Sequence, residues 1–328
     1  MIYSFQGIRA LVAIAVVVQH VTRLPGYVEQ SNNFGISLLF LMSGFLLSEK
    51  RPDNARRFFF DKVARIAPLN AFCILLAVLL SLGDLPYILP RALVDLLMLQ
   101  SWIPIRSVYY SCDPVAWFLS SILLCYGLFP LLSELLHSRP YLFTGMWFFA
   151  AVVYTALIGY SVHDSQKLEA FIYVAPYSRL FDFALGMIAG GVKLRTEYWK
   201  WRTQTFVLML CGLAFFASVH ITEVLFLASW WYMPGTLLLL SVSQDKGYLS
   251  AFLSARPLVW LGNISFEIFM LHLPVLYAFR IIVAKTGLTF GTWPVLVAVL
   301  CTSISGAWLV SRYFEQPLTH RLRAIINK

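Results

Sequence analysis

Long apolar runs, separated by short polar connections, occupy most of the chain. A helix that crosses the hydrocarbon core of a bilayer takes about 20 residues, and ten of the runs approach or reach that length. They lie at 5–23, 34–48, 66–82, 115–133, 141–161, 176–192, 204–220, 224–243, 258–283 and 293–311. The pattern predicts an all-α integral membrane protein with about ten transmembrane helices, which form one domain over residues 1–328.

A further apolar segment, 91–103, is too short to cross a bilayer, and we interpret it as an interfacial or re-entrant helix. Composition agrees with a membrane protein, because 59% of the 328 residues are hydrophobic and only 12% are charged. Soluble domains carry about 25% charged residues. The net charge of +9 lies in short connections between apolar runs. It therefore indicates topology and contact with membrane lipids rather than nucleic-acid binding.

The distribution of Lys and Arg predicts the orientation of the chain. Of the 25 basic residues, 17 lie in one set of alternating connections and at the C-terminus. Basic residues concentrate on the cytoplasmic side of membrane proteins, and an even number of spans brings both ends to the same side. We therefore predict that both termini are cytoplasmic in a multi-pass protein of the cell membrane, a bacterial inner or plasma membrane. The pattern implies no particular oligomeric state.

Two ionisable residues share one face of the first predicted helix. Arg9 and His20 are 11 residues apart, so they differ by only about 20° around the helix and lie about 16 Å apart along it. Ionisable residues inside a membrane are costly, and a pair on one stripe indicates a polar cavity. His20 is the candidate general base, since a neutral imidazole can accept a proton from a hydroxyl group. The alternative is a histidine that only hydrogen-bonds to a neighbouring helix.

The connection between the second and third runs is strongly basic. Its candidate ligand-binding residues are Arg56, Arg57, Lys62 and Arg65. Such a cluster commonly anchors the protein against anionic lipid. It can also bind a phosphorylated ligand, because Arg and Lys suit phosphate oxygens.

Later runs contain polar residues that suit support of a cavity. Arg179 and Asp182 are three residues apart, so we predict an ion pair between them. Arg312 and Glu315 have the same spacing, and the same pairing is expected. Asn263 and His272 lie in a run that Pro274 kinks, where the proline frees the carbonyl group of Met270. The five cysteines show no C-x-x-C spacing, and we predict no metal site.

Seven segments, in order along the chain, resemble signatures of the acyltransferase 3 family of multi-spanning membrane proteins. Arg9 through His20 resembles its first-helix signature. The other segments are 35–47 with Ser43, Phe58 to Pro68, Trp117 to Pro130, Arg179 to Gly186, Gly262 to Pro274 and Tyr313 to Pro317. Two positions differ from the family pattern: Lys62 stands where many members have arginine, and Ser120 to Ile122 replace a region that often contains glutamate.

This resemblance implies transfer of an acyl group, usually acetyl, from cytoplasmic acyl-CoA to a hydroxyl group of a cell-envelope polysaccharide or glycolipid. The carbohydrate acceptor can be lipid-linked, and acetyl-CoA is the implied donor. The resemblance assigns catalysis to His20 and Arg9 and donor binding to the basic connection. Cavity or support roles go to Ser43, Trp117, Arg179, Asp182, Asn263 and His272. From the residues alone, a transporter or flippase of a glycan intermediate and a purely structural membrane protein remain alternatives.

Overall fold

The computed structural model describes residues 2–22, 27–192, 201–218, 232–288 and 290–326, and every regular element in these ranges is helical. We number the α-helices in chain order. They are α1 Tyr3–Thr22, α2 Tyr27–Leu47, α3 Ala55–Leu80, α4 Leu85–Leu96, α5 Arg106–Tyr109, α6 Trp117–Ser138, α7 Pro140–Ser161, α8 Ser165–Leu168, α9 Pro176–Val192, α10 Trp201–Ser218, α11 Tyr232–Val242, α12 Tyr248–Leu253, α13 Arg256–Asn263, α14 Ser265–Thr286, α15 Thr292–Val310 and α16 Gln316–Ile326. Short π-helical segments at Glu169–Val174 and Ser311–Glu315 lead into α9 and α16.

Six helices in the described ranges are long and apolar enough to cross a membrane: α1, α3, α6, α7, α14 and the continuous helix Thr292–Ile326. The predicted all-α membrane fold is confirmed, whereas the predicted count of ten spans is not. Helices α2 and α9–α11 correspond to further apolar runs but are shorter in their described apolar parts. Much of the predicted run 224–243 lies outside the described residues.

The predicted single run 258–283 consists of two helices. Helix α13 ends at Asn263 and α14 begins at Ser265, whose hydroxyl group donates to the carbonyl oxygen of Gly262 at 2.8 Å. A hydroxyl group that bonds to a nearby backbone carbonyl competes with a continuous helical ladder. The break brings Asn263 to the end of a helix, where its side chain is exposed.

The segment between α4 and α6 is held to α4 by the carboxylate of Asp95. This carboxylate is 1% exposed and accepts hydrogen bonds from the Ser111 hydroxyl group at 3.0 Å and from the Cys112 amide at 3.1 Å. Burial raises the pKa of Asp95 to about 6. The predicted interfacial segment 91–103 contributes α4 and a short 3₁₀ turn, and it exposes Leu93 and Leu97.

Helix α1 lies against α12, α13 and α14 at very short range. A Cβ atom at Gly7 would overlap the carbonyl oxygen of Leu253, and a Cβ atom at Gly262 would overlap that of Gln6. Small residues allow this approach in membrane proteins, where helices gain stability from close packing. The N-terminal amides of Tyr3 and Ser4 both donate to the Asp245 carboxylate at 2.9 Å. These contacts fix the rotation of α1, and with it the direction of its polar face.

Replacing Gly262 by Ala is expected to destabilise the protein, because the added methyl group meets backbone that cannot rotate away. Overpacking of this kind costs about 1–3 kcal/mol. Gly145→Ala in α7 is the matched control, since a Cβ atom there meets nothing within 4 Å. Thermal unfolding in detergent should give a lower midpoint for Gly262→Ala than for Gly145→Ala, and equal midpoints would contradict the packing described for α1.

Candidate active site

A cavity of about 310 Å³ opens between α1, α2, α3, α6, α13 and α14. Its volume lies at the lower end of the range for small-ligand pockets. Its polar lining comes from all six helices: Gln6 and Arg9 on α1, Ser43 on α2, Arg65 on α3, Tyr126 on α6, Asn263 on α13 and Ser265 on α14. The structure thus brings together four predicted site residues that are far apart in sequence.

Arg9 is the cation in this cavity that lacks a partner. Within the described ranges it forms no ion pair and no hydrogen bond, and a second cation, Arg65, lines the same cavity. The Nζ atom of Lys62 lies 5.1 Å from the centre of the Tyr126 ring, which also lies close to Arg9. Three cations therefore surround one phenol ring. A cavity of this kind favours an anionic ligand, because arginine and lysine bind phosphate oxygens well.

Arg65 is held between two buried carboxylates. Its Nη1 atom lies 2.6 Å from Oε1 of Glu315, and its Nη2 atom lies 3.9 Å from Oε1 of Glu267. Both carboxylates are completely buried, whereas the Arg65 side chain is 38% exposed toward the cavity. The expected pairing of Glu315 with Arg312 is wrong. The guanidinium group of Arg312 lies over the Trp308 ring instead, since the π-helical turn before α16 directs Glu315 inward toward α3.

The other two basic residues of the predicted donor site lie elsewhere. Arg56 and Arg57 are exposed at the start of α3, where they line a separate surface groove with Phe60 and Ile325. The guanidinium group of Arg56 lies 5.8 Å from the centre of the Phe60 ring. The basic connection therefore divides into Arg65, which lines the cavity, with Lys62 beside the cavity residue Tyr126, and a surface part with Arg56 and Arg57.

His20 lies beyond the cavity and contacts a second histidine. The Nδ1 atom of His20 is 3.0 Å from Nε2 of His272, and Nδ1 of His272 is 2.7 Å from the carbonyl oxygen of Phe269. His272 is completely buried, whereas His20 is partly exposed. Neither ring has a carboxylate partner in the described part of the chain. The structure therefore joins the two predicted histidines directly, without an acid.

This chain of hydrogen bonds determines the tautomer of both neutral rings. A carbonyl oxygen only accepts, so Nδ1 of His272 carries its proton and Nε2 of His272 accepts one. Nδ1 of His20 must then be the donor to that nitrogen. The Nε2 atom of His20 is left with a free lone pair, which is the form that a general base requires.

Pro274 acts close to this pair, as the sequence predicts. The carbonyl oxygen of Met270, which a proline at this position leaves without its helical donor, lies 3.6 Å from the Sγ atom of Cys73. Cys73 is completely buried on α3. A thiol is a weak donor, so this contact satisfies the carbonyl group and joins α3 to α14 next to His272.

The predicted ion pair of Arg179 and Asp182 is present, with Nη1 and Oδ2 2.7 Å apart. The buried guanidinium group also donates to the Ser37 hydroxyl group at 3.1 Å and to the Tyr173 carbonyl oxygen at 2.7 Å. Trp117 is buried against this group, with Cζ of Arg179 6.0 Å from its ring centre. Because all these partners belong to the protein, the group supports the walls of the site and leaves no charge for a ligand.

Several residues of the site were missed by sequence reasoning. Tyr126 lay within a recognised segment, but a lone tyrosine in an apolar run carries no signal of its own. Glu267 shares a helix face with Asn263 in the sequence, and a carboxylate in an apolar run needs a partner, but only the structure shows that this partner is Arg65. Phe118 and Phe269 line the cavity and are indistinguishable from core aromatics in sequence. No group of three or more His, Cys, Asp or Glu residues suited to a metal ion occurs in the described ranges.

Comparisons with known proteins agree on the class of molecule. A family model described as an acyltransferase domain, Acyl_transf_3, matches residues 2–312. The protein Acyltransferase MdmB of Streptomyces mycarofaciens is 25% identical over 353 aligned residues, which cover 96% of this chain and 90% of that protein. No solved structure matches the chain.

The two carboxylates around Arg65 predict a structural role for this residue in addition to any ligand contact. Arg65→Ala leaves Glu267 and Glu315 buried without a cation, which should cost about 3 kcal/mol of stability. The double variant Arg65→Ala/Glu315→Gln should recover part of that loss, as measured by thermal unfolding. Arg56→Ala, at an exposed position on the same helix, is the control and should change stability by less than about 0.5 kcal/mol. Additive effects of the Arg65 and Glu315 substitutions would argue against the ion pair.

Proposed function

The chain belongs to the acyltransferase 3 family of membrane acyltransferases, and we propose that it transfers an acetyl group from acyl-CoA to a hydroxyl group of a cell-envelope carbohydrate. The observation that carries this proposal is the arrangement of α1. One face of this helix presents Arg9 to a basic cavity and His20 to the His272 ring. The cavity suits an anionic donor, and the histidine pair suits activation of a hydroxyl group.

In the proposed reaction the donor enters from the side of Arg9 and the basic connection, which the distribution of charge assigns to the cytoplasm. Arg9 and Lys62 bind phosphate oxygens of acyl-CoA. The two buried carboxylates next to Arg65 hold its guanidinium group at the cavity wall. Arg9 and His20 lie about 16 Å apart along the helix axis. That distance suits the two ends of an extended pantetheine arm rather than one reacting carbonyl group. We therefore assign donor binding to Arg9 and not stabilisation of the oxyanion.

His20 performs the proton transfer. Its Nε2 atom takes the proton of the acceptor hydroxyl group while the hydroxyl oxygen attacks the thioester carbonyl carbon. The carbon–sulfur bond breaks, and the CoA thiolate leaves and takes the proton back from His20. The products are the carbohydrate ester and free CoA, and the imidazole returns to its neutral form.

His272 is a positioning residue in this scheme. Its Nε2 atom accepts the Nδ1 proton of His20, which keeps the Nε2 lone pair of His20 free and fixes the plane of the ring. The carbonyl oxygen of Phe269 in turn fixes His272. The scheme therefore needs no acid next to His20, and Ser120 and Ser121 can stand where many family members have glutamate.

Replacing His20 by Ala should lower acyl transfer by at least about 10²-fold, the usual contribution of a general base, without preventing membrane insertion. The measurement is mass spectrometry of envelope glycans from cells that carry the wild-type or the variant protein, with the amount of folded protein determined in parallel. Normal acetylation by a well-expressed His20→Ala variant would exclude the role as base. Glycan translocation that continues without any acyl transfer would indicate the alternative, a transporter.

The two substitutions His272→Phe and His272→Gln test positioning. Phenylalanine keeps the volume of the ring but cannot accept a hydrogen bond from His20. We therefore expect kcat to fall, by at most about 10²-fold, while KM for acyl-CoA stays unchanged. Glutamine offers an acceptor oxygen and should restore part of the rate. Equal kcat values for the two variants would contradict an orienting hydrogen bond and indicate that His272 only fills space.

A further inference from the structure

Two aromatic rings line the cavity, and one of them also lies close to the histidine pair. Phe118 and Phe269 both line the cavity, with ring centres 5.6 Å apart in an edge-to-face contact. Phe40 packs behind Phe118, with ring centres 4.7 Å apart. Neither His20 nor His272 lines the cavity. We call Phe118 and Phe269 the aromatic wall.

The wall lies on the path from Arg9 to His20. On α1 the cavity reaches Ala13, and the next turn carries Val16 and Val17, which are 2% and 0% exposed. His20 lies seven residues beyond Ala13, about 10 Å along the helix. On α14, Phe269 faces the cavity and its ring centre is only 6.2 Å from that of His272. Phe269 therefore borders both the donor cavity and the His272 ring, and Phe118 borders the cavity beside Phe269.

The wall would meet the acyl end of the donor first. When the phosphates are bound near Arg9, the pantetheine arm points toward His20 and the acyl group leads. The thioester carbonyl has to reach the histidine pair, so the acyl group must displace or pass between two rings. The Phe269 side chain is only 5% exposed, so neighbouring side chains surround its ring closely. Rotation of the ring can therefore open little space. Each added methylene group then demands further displacement of packed rings.

We propose that Phe118 and Phe269 form an acyl-size filter, which restricts the donor to short-chain acyl-CoA. This inference rests on the proposed function and specifies its donor class. The filter acts by steric exclusion in the step that brings the thioester to His20. The alternative, that the two rings are ordinary packing with no contact to the donor, is an outcome of the test.

The test measures donors of increasing acyl length on variants in which a ring of the aromatic wall is replaced by a smaller or a larger side chain. Purified protein in nanodiscs receives radiolabelled acetyl-, propionyl- or butyryl-CoA, together with the glycolipid and polysaccharide fraction of its native cells. Labelled product is measured for Phe118→Leu, Phe269→Leu and Phe118→Trp. Phe266→Leu is the matched control, because Phe266 lines the same cavity three residues before Phe269, nearer the start of α14.

We expect each Leu variant of the wall to raise the ratio of kcat/KM for butyryl-CoA to that for acetyl-CoA by at least about tenfold, since the two acyl groups differ by two methylene groups and each is worth about tenfold or more in a packed pocket. Phe118→Trp should lower the corresponding propionyl-to-acetyl ratio. The control should leave both ratios at their wild-type values, even where its absolute rate changes. The filter would be excluded if folded Leu variants kept the wild-type ratios. It would also be excluded if the ratios of the Phe266→Leu control changed as much as those of the wall variants.

The same experiment separates this inference from the proposed function. A wild-type protein that transfers no acyl group from any of the three donors overturns both. A wild-type protein that transfers acetyl but whose wall variants keep its donor preference overturns the filter alone. Because the test uses two wall positions and one larger side chain, its result does not depend on any single variant being folded.

Discussion

The fixed rotation of α1 is the constraint on which the rest of the site depends. Gly7 and Gly262 allow α1 to touch the backbone of α12 and α13, and Asp245 binds its first amides. A helix held in this way cannot turn its polar face toward lipid. Arg9 therefore stays in the cavity and His20 stays against His272, although each would be better solvated elsewhere. The close backbone contacts at these two glycines thus maintain an arrangement of charges that is costly by itself.

Buried cations in this protein differ in how far the protein itself compensates their charge, and this difference separates structural cations from candidate ligand-binding ones. Arg179 has a carboxylate, a hydroxyl group and two carbonyl groups as partners, all supplied by the protein. Arg65 is shared between two carboxylates and the cavity. Arg9 has no partner within the described residues and lines the cavity. A buried cation whose charge the protein leaves uncompensated is a site for an external anion, whereas a fully satisfied one stabilises the fold.

The histidine pair and the aromatic wall give the site its direction. Charge is concentrated at the Arg9 end, packed rings lie in the middle, and the free lone pair of His20 lies at the other end. A donor with an anionic head and a small reactive tail matches this order of features. Because His20 bonds to His272 and to no acid among the described residues, this end of the site carries no net charge when both rings are neutral, which lowers the cost of placing it inside the membrane.

The sequence by itself determined the class of fold and the residues of α1. Apolar runs of helical length leave few alternatives to membrane helices, since unpaired backbone groups are too costly in lipid. The 11-residue spacing of Arg9 and His20 follows from helix geometry alone, and the spacing of Arg179 and Asp182 predicted their ion pair correctly. These are local relations, within one helix, and short-range periodicity is sufficient to derive them.

Tertiary structure decided every relation between helices. It paired His20 with His272, which is 252 residues away, and Arg65 with Glu315 rather than Glu315 with Arg312. It also separated Arg56 and Arg57 from the cavity and placed Phe118 and Phe269 in the cavity lining, with Phe269 next to His272. The physical reason is that partner choice depends on helix crossing and rotation, which are fixed by close packing at positions such as Gly7 and Gly262. No periodicity along a single helix contains that information.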